Sequence, residues 1–315
     1  MDEHYGANEA KETLSTIRTS REKDRPFHTQ TRQLTESGAL QNMVDVKKYS
    51  EPDCWRVTWR QTGELSEEVM FHIQGVIEDK KLAPVRGDKS AKKLRHLKQS
   101  IVVSGLGSEG FDKDVDAVMD VYAILARHVQ GLKPIEIKDL GRYSGLEFSS
   151  RVFTPKNEAP NMEWAVIDET IDSNNFMRDV KASGVGYVHG DENVVNFGVE
   201  VNGKEKKKTE SIAPHQLHIG DVVDIAFAVI AIEGRGASNP TNGVAKLLLR
   251  SVTLLEGKHT QAWIKTKALL GSSGGRKVNQ LRKRAAFDEE EVEVTRKRLK
   301  QMSLDVNEEG SSGSA

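Results

Sequence analysis

The sequence predicts an α+β fold, predominantly antiparallel β in a barrel or sandwich, with one well-formed amphipathic helix and disordered N- and C-terminal tails. Three observations predict it. Across residues 184–257, strand-like runs follow one another with turn residues between them; two of those runs are long and almost wholly apolar; and residues 115–129 repeat their apolar side chains at three-to-four spacing. A helix that must bury one stripe needs strands to pack on, which makes the class α+β and not all-β.

Taken in order, residues 1–46 are rich in Glu, Thr, Ser, Arg and Gln, hold no sustained apolar period, and read as a mobile arm. A globular body over residues 47–266 follows. At 54–59 the run Cys54-Trp55-Arg56-Val57-Thr58-Trp59 reads as a strand with both tryptophans on one face. Aromatics so placed are either core or edge residues or a platform on which bases stack. In residues 68–78, Val69, Phe71, Ile73 and Ile77 alternate as in a strand; Met70, Ile73 and Ile77 also fit a helix, and Gly75 tips the reading to strand. The helix of residues 115–129 carries Val115, Val118, Met119, Tyr122, Leu125 and Val129 on one stripe. Asp112, Asp114 and Asp116 suit its N-terminal dipole, and Gly131 followed by Pro134 stops it.

The next fifty residues are choppier, with short strands expected at 135–137, 146–153 and 164–167 and a short helix at 172–180 opened by Asp172 or Ser173. Residues 185–188 and 194–201 then alternate around a His-Gly-Asp-Glu-Asn turn, as antiparallel neighbours do. Asn202-Gly203 is a further turn, although the lysine-rich run after it makes a poor partner strand. Val222–Ile232 has ten apolar residues of eleven, many β-branched, and reads as a central strand covered on both faces. A polar loop, 233–242, leads into a second apolar strand at 244–255. Beyond Gly257 one more strand or short helix around Trp263 precedes a Gly/Ser linker at 271–275, and residues 267–315 form the linker and a charged tail.

Three segments in this block, Tyr187-Val188-His189-Gly190-Asp191-Glu192-Asn193, Ile219-Gly220-Asp221-Val222-Val223-Asp224 and Leu248-Leu249-Arg250-Ser251-Val252-Thr253-Leu254-Leu255, together resemble a group of uncharacterised proteins abundant in mushroom-forming (basidiomycete) fungi. The resemblance covers about a quarter of the chain. It implies a β-rich module and a eukaryotic source, and it lends no catalytic residue.

Composition sets outer limits. The apolar share of 37% and charged share of 30% are on the polar side for a compact protein, and the net charge of -1 conceals strong local segregation. One cysteine, Cys54, excludes an internal disulfide or a thiolate zinc cluster within one chain. The N-terminus has no basic stretch leading into an apolar core, and no run reaches the roughly 18 apolar residues of a membrane span, so a soluble protein, neither secreted nor membrane-inserted, is expected.

Four motifs bear on function. The first is a basic segment: Lys80, Lys81, Arg86, Lys89, Lys92, Lys93, Arg95, His96 and Lys98, with Asp88 nearly its only internal acid, which reads either as a solvated face or as a set of phosphate contacts. The second is a GxGxxG formed by Gly105, Gly107 and Gly110 between a strand-like run and the helix. In a dinucleotide site such glycines admit a pyrophosphate to the helix N-terminus. The three aspartates crowd that position and the ribose-binding acid expected about 20 residues on is missing, so a glycine-rich loop is the better reading. Third, Asp168, Glu169 and Asp172 on one side and His215 and His218 on the other lack the further partners that acid-base chemistry or zinc would need, and an ordinary surface turn accounts for the acids. Fourth, Lys283 and Arg284, eleven intervening residues, then Arg296, Lys297, Arg298 and Lys300 have the spacing of a bipartite nuclear localisation signal, two basic clusters that a pliable tether can seat together on an import receptor. A charge-alternating helix is the competing reading.

The expectation is a non-catalytic nuclear binding protein without cofactor or metal. It engages nucleic acid or chromatin-associated partners through basic segments, with Trp55 and Trp59 as stacking candidates, and a nuclear import receptor through its tail, and makes no membrane contact. The alternatives are a nucleotide-binding enzyme built on the Gly105, Gly107, Gly110 loop, or a protein-interaction scaffold that binds no nucleic acid.

Overall fold

The computed structural model describes residues 1–24, 40–60, 66–87, 90–202, 207–234 and 243–273. Contacts group Met1–Ala268 into one compact unit and Leu269–Ala315 into another, and the fold set out below is that of the first. It is a mixed α+β structure built mostly of sheet. The ten-stranded sheet begins with a hairpin, β1 (Val44–Ser50) and β2 (Asp53–Trp59), and continues with β3 (Phe71–Lys81), β4 (Lys98–Ser104), β5 (Ile137–Asp139) and β6 (Ser144–Arg151). After a separate two-stranded pair, β7 (Thr154–Pro155) with β8 (Tyr187–Val188), it resumes with β9 (Asn196–Asn202), β10 (Lys207–Ser211), β11 (Val222–Ile232) and β12 (Val244–Glu256).

The central five strands close on themselves. β11, β3, β4, β6 and β12 are neighbours in that order, and β12 pairs back onto β11. Every contact in this ring is antiparallel except β6 with β12, which is parallel. Alternation along each strand sends one set of side chains inward: Phe71 and Ile73, Ile101 and Val103, Leu146 and Phe148, Ile225 and Phe227, Leu247 and Leu249 are all buried in one cluster. Phe227 sits among them with ring centroids 5.7 Å from Phe71 and 4.9 Å from Phe148.

Helix α4 (Glu109–Ala126; α1 to α3 are placed below) packs its stripe on this cluster through Phe111, Val115, Val118, Val121 and Leu125. The expectation for this helix holds in its stripe, and its cap is Ser108, whose side chain accepts from the Phe111 amide. The expectation for β11 holds closely, since ten of its residues are buried. Its one acid, Asp224, is buried too, accepting from Gln74 Nε2 at 2.6 Å and lying 3.0 Å from His72 Nδ1.

Four expectations need correction. The first 46 residues are not a mobile arm where they are described: helix α1 (Ala7–Asp24) buries Ala10 and Leu14, α2 (Leu40–Met43) leads into the sheet, and Tyr5 Oη donates to the Gly220 carbonyl at 2.7 Å. The apolar stripe of α1, Ala7, Ala10, Leu14 and Ile17, is thin and half alanine, and two arginines on the same helix share the docking. Arg18 pairs with Asp114, Arg21 pairs with Glu200 and lies 3.4 Å from Asp224, and all five side chains are largely buried. The structure therefore has six α-helices among the described residues, with α3 (Ala91–Leu94), α5 (Phe176–Ser183) and α6 (Lys258–Ser273) besides those named. α6 also replaces the strand or short helix expected near Trp263, and no described helix is long and apolar enough to cross a membrane.

Second, the runs at 185–188 and 194–201 do not pair with each other. A 3-10 turn at Asp191–Asn193 redirects the chain, so that β8 joins β7 while β9 joins β12 and β10. Third, the end of the lysine-rich run does supply a partner strand: β10, which begins at Lys207, pairs with β9 and closes the sheet, while residues 203–206 lie outside the described residues. Fourth, residues 164–167 form no strand, and the short helix expected at 172–180 is α5, which starts four residues later with Asp172 accepting from the Met177 and Arg178 amides.

Replacing Phe227 by alanine removes a wholly buried ring from the centre of the ring of strands. The expected loss is about 3–5 kcal/mol of unfolding free energy, read as a lower urea midpoint at unchanged slope.

Candidate functional site

A groove of about 280 Å³ runs over the outer face of β2, β11, β12, β6 and β4. Its floor is aliphatic, from Ile230, Ile232 and Leu248, and its rim is charged. Strand pairing places the charges. Lys98 and Arg151 stand directly opposite each other on β4 and β6, an arrangement that costs energy between like charges. Two glutamates relieve it: Glu147 takes Lys98, and Glu158 takes Arg151 at 2.9 Å and Arg95 at 3.3 Å. Lys246, on β12, forms no hydrogen bond or ion pair with any described residue, and its ammonium is pushed below the ordinary lysine value first by desolvation and then by Arg151 and Lys98, with Glu147 opposing them in part.

The opposite end of the groove is built by four charges. Arg56 donates to Glu68 Oε1 at 2.6 Å and to Glu192 Oε2 at 2.7 Å. Arg250 donates to Glu68 Oε2 at 2.7 Å and to Glu192 Oε2 at 3.0 Å. This network ties β2, the segment before β3, the 3-10 turn and β12 together. Burial pushes the Glu192 carboxyl up, but Arg250 and Arg56 outweigh it and hold the group below the usual glutamate value. The other oxygen of Glu192, Oε1, accepts no hydrogen bond from any described residue, and Glu192 lines the groove.

Of the ten expected nucleic-acid contacts, the groove gathers Arg95 and Lys98. Lys81, Arg86, Lys92 and Lys93 are exposed on the segment leading up to it, and Lys89 lies outside the described residues. Lys80 is not available as a phosphate contact: it is half-buried, donates to the Leu217 carbonyl, and has its ammonium pushed down by desolvation. The tryptophans are not an open stacking platform. Both are half-buried against the core; the Trp55 indole donates to Glu233 at 2.7 Å, with Lys48 lying 5.6 Å from the ring centroid.

The glycine motif belongs to packing. A Cβ on Gly105 would lie 2.1 Å from that of Phe111, Gly107 has φ +72°, and helix α1 covers the loop, with Lys11 donating to the Gly107 carbonyl at 2.6 Å and Arg18 to that of Gly110 at 2.8 Å. The strand after the helix, β5, is only three residues long and is separated from β4 by β6, which is antiparallel to both, whereas a dinucleotide-binding unit pairs its strands in parallel. Of the acids considered, Asp168 closes a turn on Thr170 and Asp172 caps α5. The import-like residues Lys283, Arg284, Arg296, Lys297, Arg298 and Lys300 lie outside the described residues.

Sequence reading missed Arg56, Arg151, Glu192 and Lys246. A signal existed for the last of these: Lys246 and Arg250 interrupt an otherwise apolar strand at even spacing, which marks one face of β12 as meeting something other than the core.

No protein-family model matches this chain. No curated protein matches it either. Among solved structures it is similar to gp2.5, a single-stranded DNA binding protein encoded by bacteriophage T7, with a TM-score of 0.32 and 12% identity, over 59% of this chain and 86% of that one. An overlap of that extent assigns this chain neither a ligand nor a fold.

The four-charge network makes stability depend on pH. Because the Glu192 carboxyl titrates lower in the folded chain than in the unfolded one, its contribution is complete above about pH 4.3 and is lost as pH falls through the folded value. Glu192→Gln is therefore expected to melt at lower temperature than the parent at neutral pH, with the gap closing below about pH 4. Melting curves of both proteins from neutral to acidic pH check this, and a gap that stays constant with pH speaks against it.

Proposed function

We propose that this chain is a non-catalytic protein that binds single-stranded nucleic acid along the groove, and that its strand ring is an oligonucleotide-binding-type barrel. In that architecture five strands close in Greek-key order, and the face of the second and third strands, with the loops joining first to second and fourth to fifth, takes the ligand. The ring strands in chain order are β3, β4, β6, β11 and β12, with the pairing that order requires. Their second and third members are β4 and β6, the groove lies over them, and the basic segment at 80–98 makes most of the first loop.

The observation that carries the reading is Lys246, an exposed ammonium that forms no ion pair with any described residue and is repelled by Arg151 and Lys98, with Glu147 offsetting that repulsion only in part, beside an aliphatic floor. A phosphate there offsets the repulsion among Lys98, Arg151 and Lys246, which is the usual way a basic groove gains affinity for a polyanion. A single strand suits the site better than a duplex, because the floor is narrow and apolar and only a strand with free base faces can cover it. The Gly105 to Gly110 loop, covered by α1, gives the enzyme alternative no support.

Binding is expected to weaken steeply with salt. Lys246→Ala, followed by fluorescence anisotropy on a labelled oligonucleotide over a salt series, is expected to reduce the slope of log affinity against log salt by about 0.7, one phosphate contact for a single strand. An unchanged slope, or no binding by the parent protein at low ionic strength, overturns the proposal. Nuclear residence belongs to the same reading and rests on residues 283–300. Fused to a fluorescent protein, that segment is expected to concentrate it in nuclei, and Lys297→Ala with Arg298→Ala to abolish the effect.

A further inference from the structure

We propose that the groove also reads one base of the bound strand, favouring bases that present an amino group (cytosine, adenine, guanine) over thymine and uracil. Lys246 takes the phosphate and Glu192 the amino group. The inference rests on the binding reading above and adds to it a preference that phosphate contacts alone do not supply.

Strand register sets the geometry. Lys246 on β12 is directly opposite Ile230 on β11, and Ile230 is directly opposite Arg56 on β2. Residues opposite one another share a face, and all three line the groove, so they form one row across three strands. At about 4.8 Å per strand the row is roughly 10 Å long. That is comparable to the span of a nucleotide from phosphate to base edge.

The chemistry changes along the row. At one end is the ammonium of Lys246, which forms no ion pair with any described residue and feels Glu147 only through space. In the middle Ile230, with Ile232 and Leu248 beside it, offers an aliphatic surface to a base face. At the other end Arg56 holds Glu192 by Oε2, and Glu192 Oε1 accepts from no donor among the described residues. An ionised carboxylate can only accept, and the cytosine amino group is what a glutamate accepts from in base recognition. Thymine and uracil place a carbonyl where cytosine has that amino group, and the carboxylate repels it. Among the described residues no aromatic side chain lines the groove, so the described lining offers no sequence-tolerant stacking to mask the edge contact.

The test uses the full chain at neutral pH and one fixed low salt concentration, with labelled homopolymers of dC and dT about 20 nucleotides long, longer than one such site covers. The dC strand is expected to bind at least about fivefold more tightly, the lower end of what one base contact supplies. A dC strand carrying two methyl groups on each N4, which removes the donor, is expected to fall to the level of dT. Glu192→Gln is expected to narrow the gap, since an amide both donates and accepts. Because Glu192 also holds Arg56 and Arg250, that variant risks unfolding, and the methylated strand on the unaltered protein then decides the matter alone. Equal, salt-sensitive binding of dC and dT overturns the base preference and leaves the groove reading standing; no binding of either strand overturns both.

Discussion

Everything in this molecule hangs on the way β11 divides its edges. One edge runs against β12 for its whole length; the other is shared, with β3 taking Val222 to Phe227 and β2 taking Ile230 and Ala231. Eleven residues of backbone thus serve three partner strands, and the strand survives that demand because its side chains are buried on both faces. The pairing with β12 closes the ring and the pairing with β3 completes the core. The fork between β3 and β2 brings the β1–β2 hairpin up beside the ring, and this hairpin supplies the far wall of the groove.

The hairpin is held by two backbone pairs to β11 and by the Trp59 and Val57 backbone bonds to the segment before β3, and the four charges of Arg56, Glu68, Arg250 and Glu192 reinforce them. Two arginines between two glutamates satisfy one another in a partly dry setting, where removing any one strands the others. The same network fixes the Glu192 side chain by one oxygen. The contacts that hold the hairpin therefore also orient a carboxylate that lines the groove.

The opposite rim obeys a different logic. Lys98, Arg151 and Lys246 come from three strands that are distant in sequence, and glutamates form ion pairs with the first two. Lys246 forms none with a described residue, and Glu147 offsets its repulsion by Arg151 and Lys98 only in part.

The sequence by itself determined the strands and helices whose period matches their burial: β11 and β12 from their apolar runs, β2 from its tryptophans, β3 from alternation around Gly75, and α4 from its stripe. These are local properties, set by side-chain spacing along one element. It missed α1, because the stripe of Ala7, Ala10, Leu14 and Ile17 is thin and shares its docking with Arg18 and Arg21, and it misplaced the partners of β8 and β9, because a five-residue turn looks the same whether it closes a hairpin or redirects the chain. Only the tertiary structure decided the site. Lys98, Arg151, Lys246, Arg56 and Glu192 are scattered over more than a hundred residues, each unexceptional where it stands, and they become a groove through ring closure and register, which depend on pairings between distant strands that no local pattern encodes.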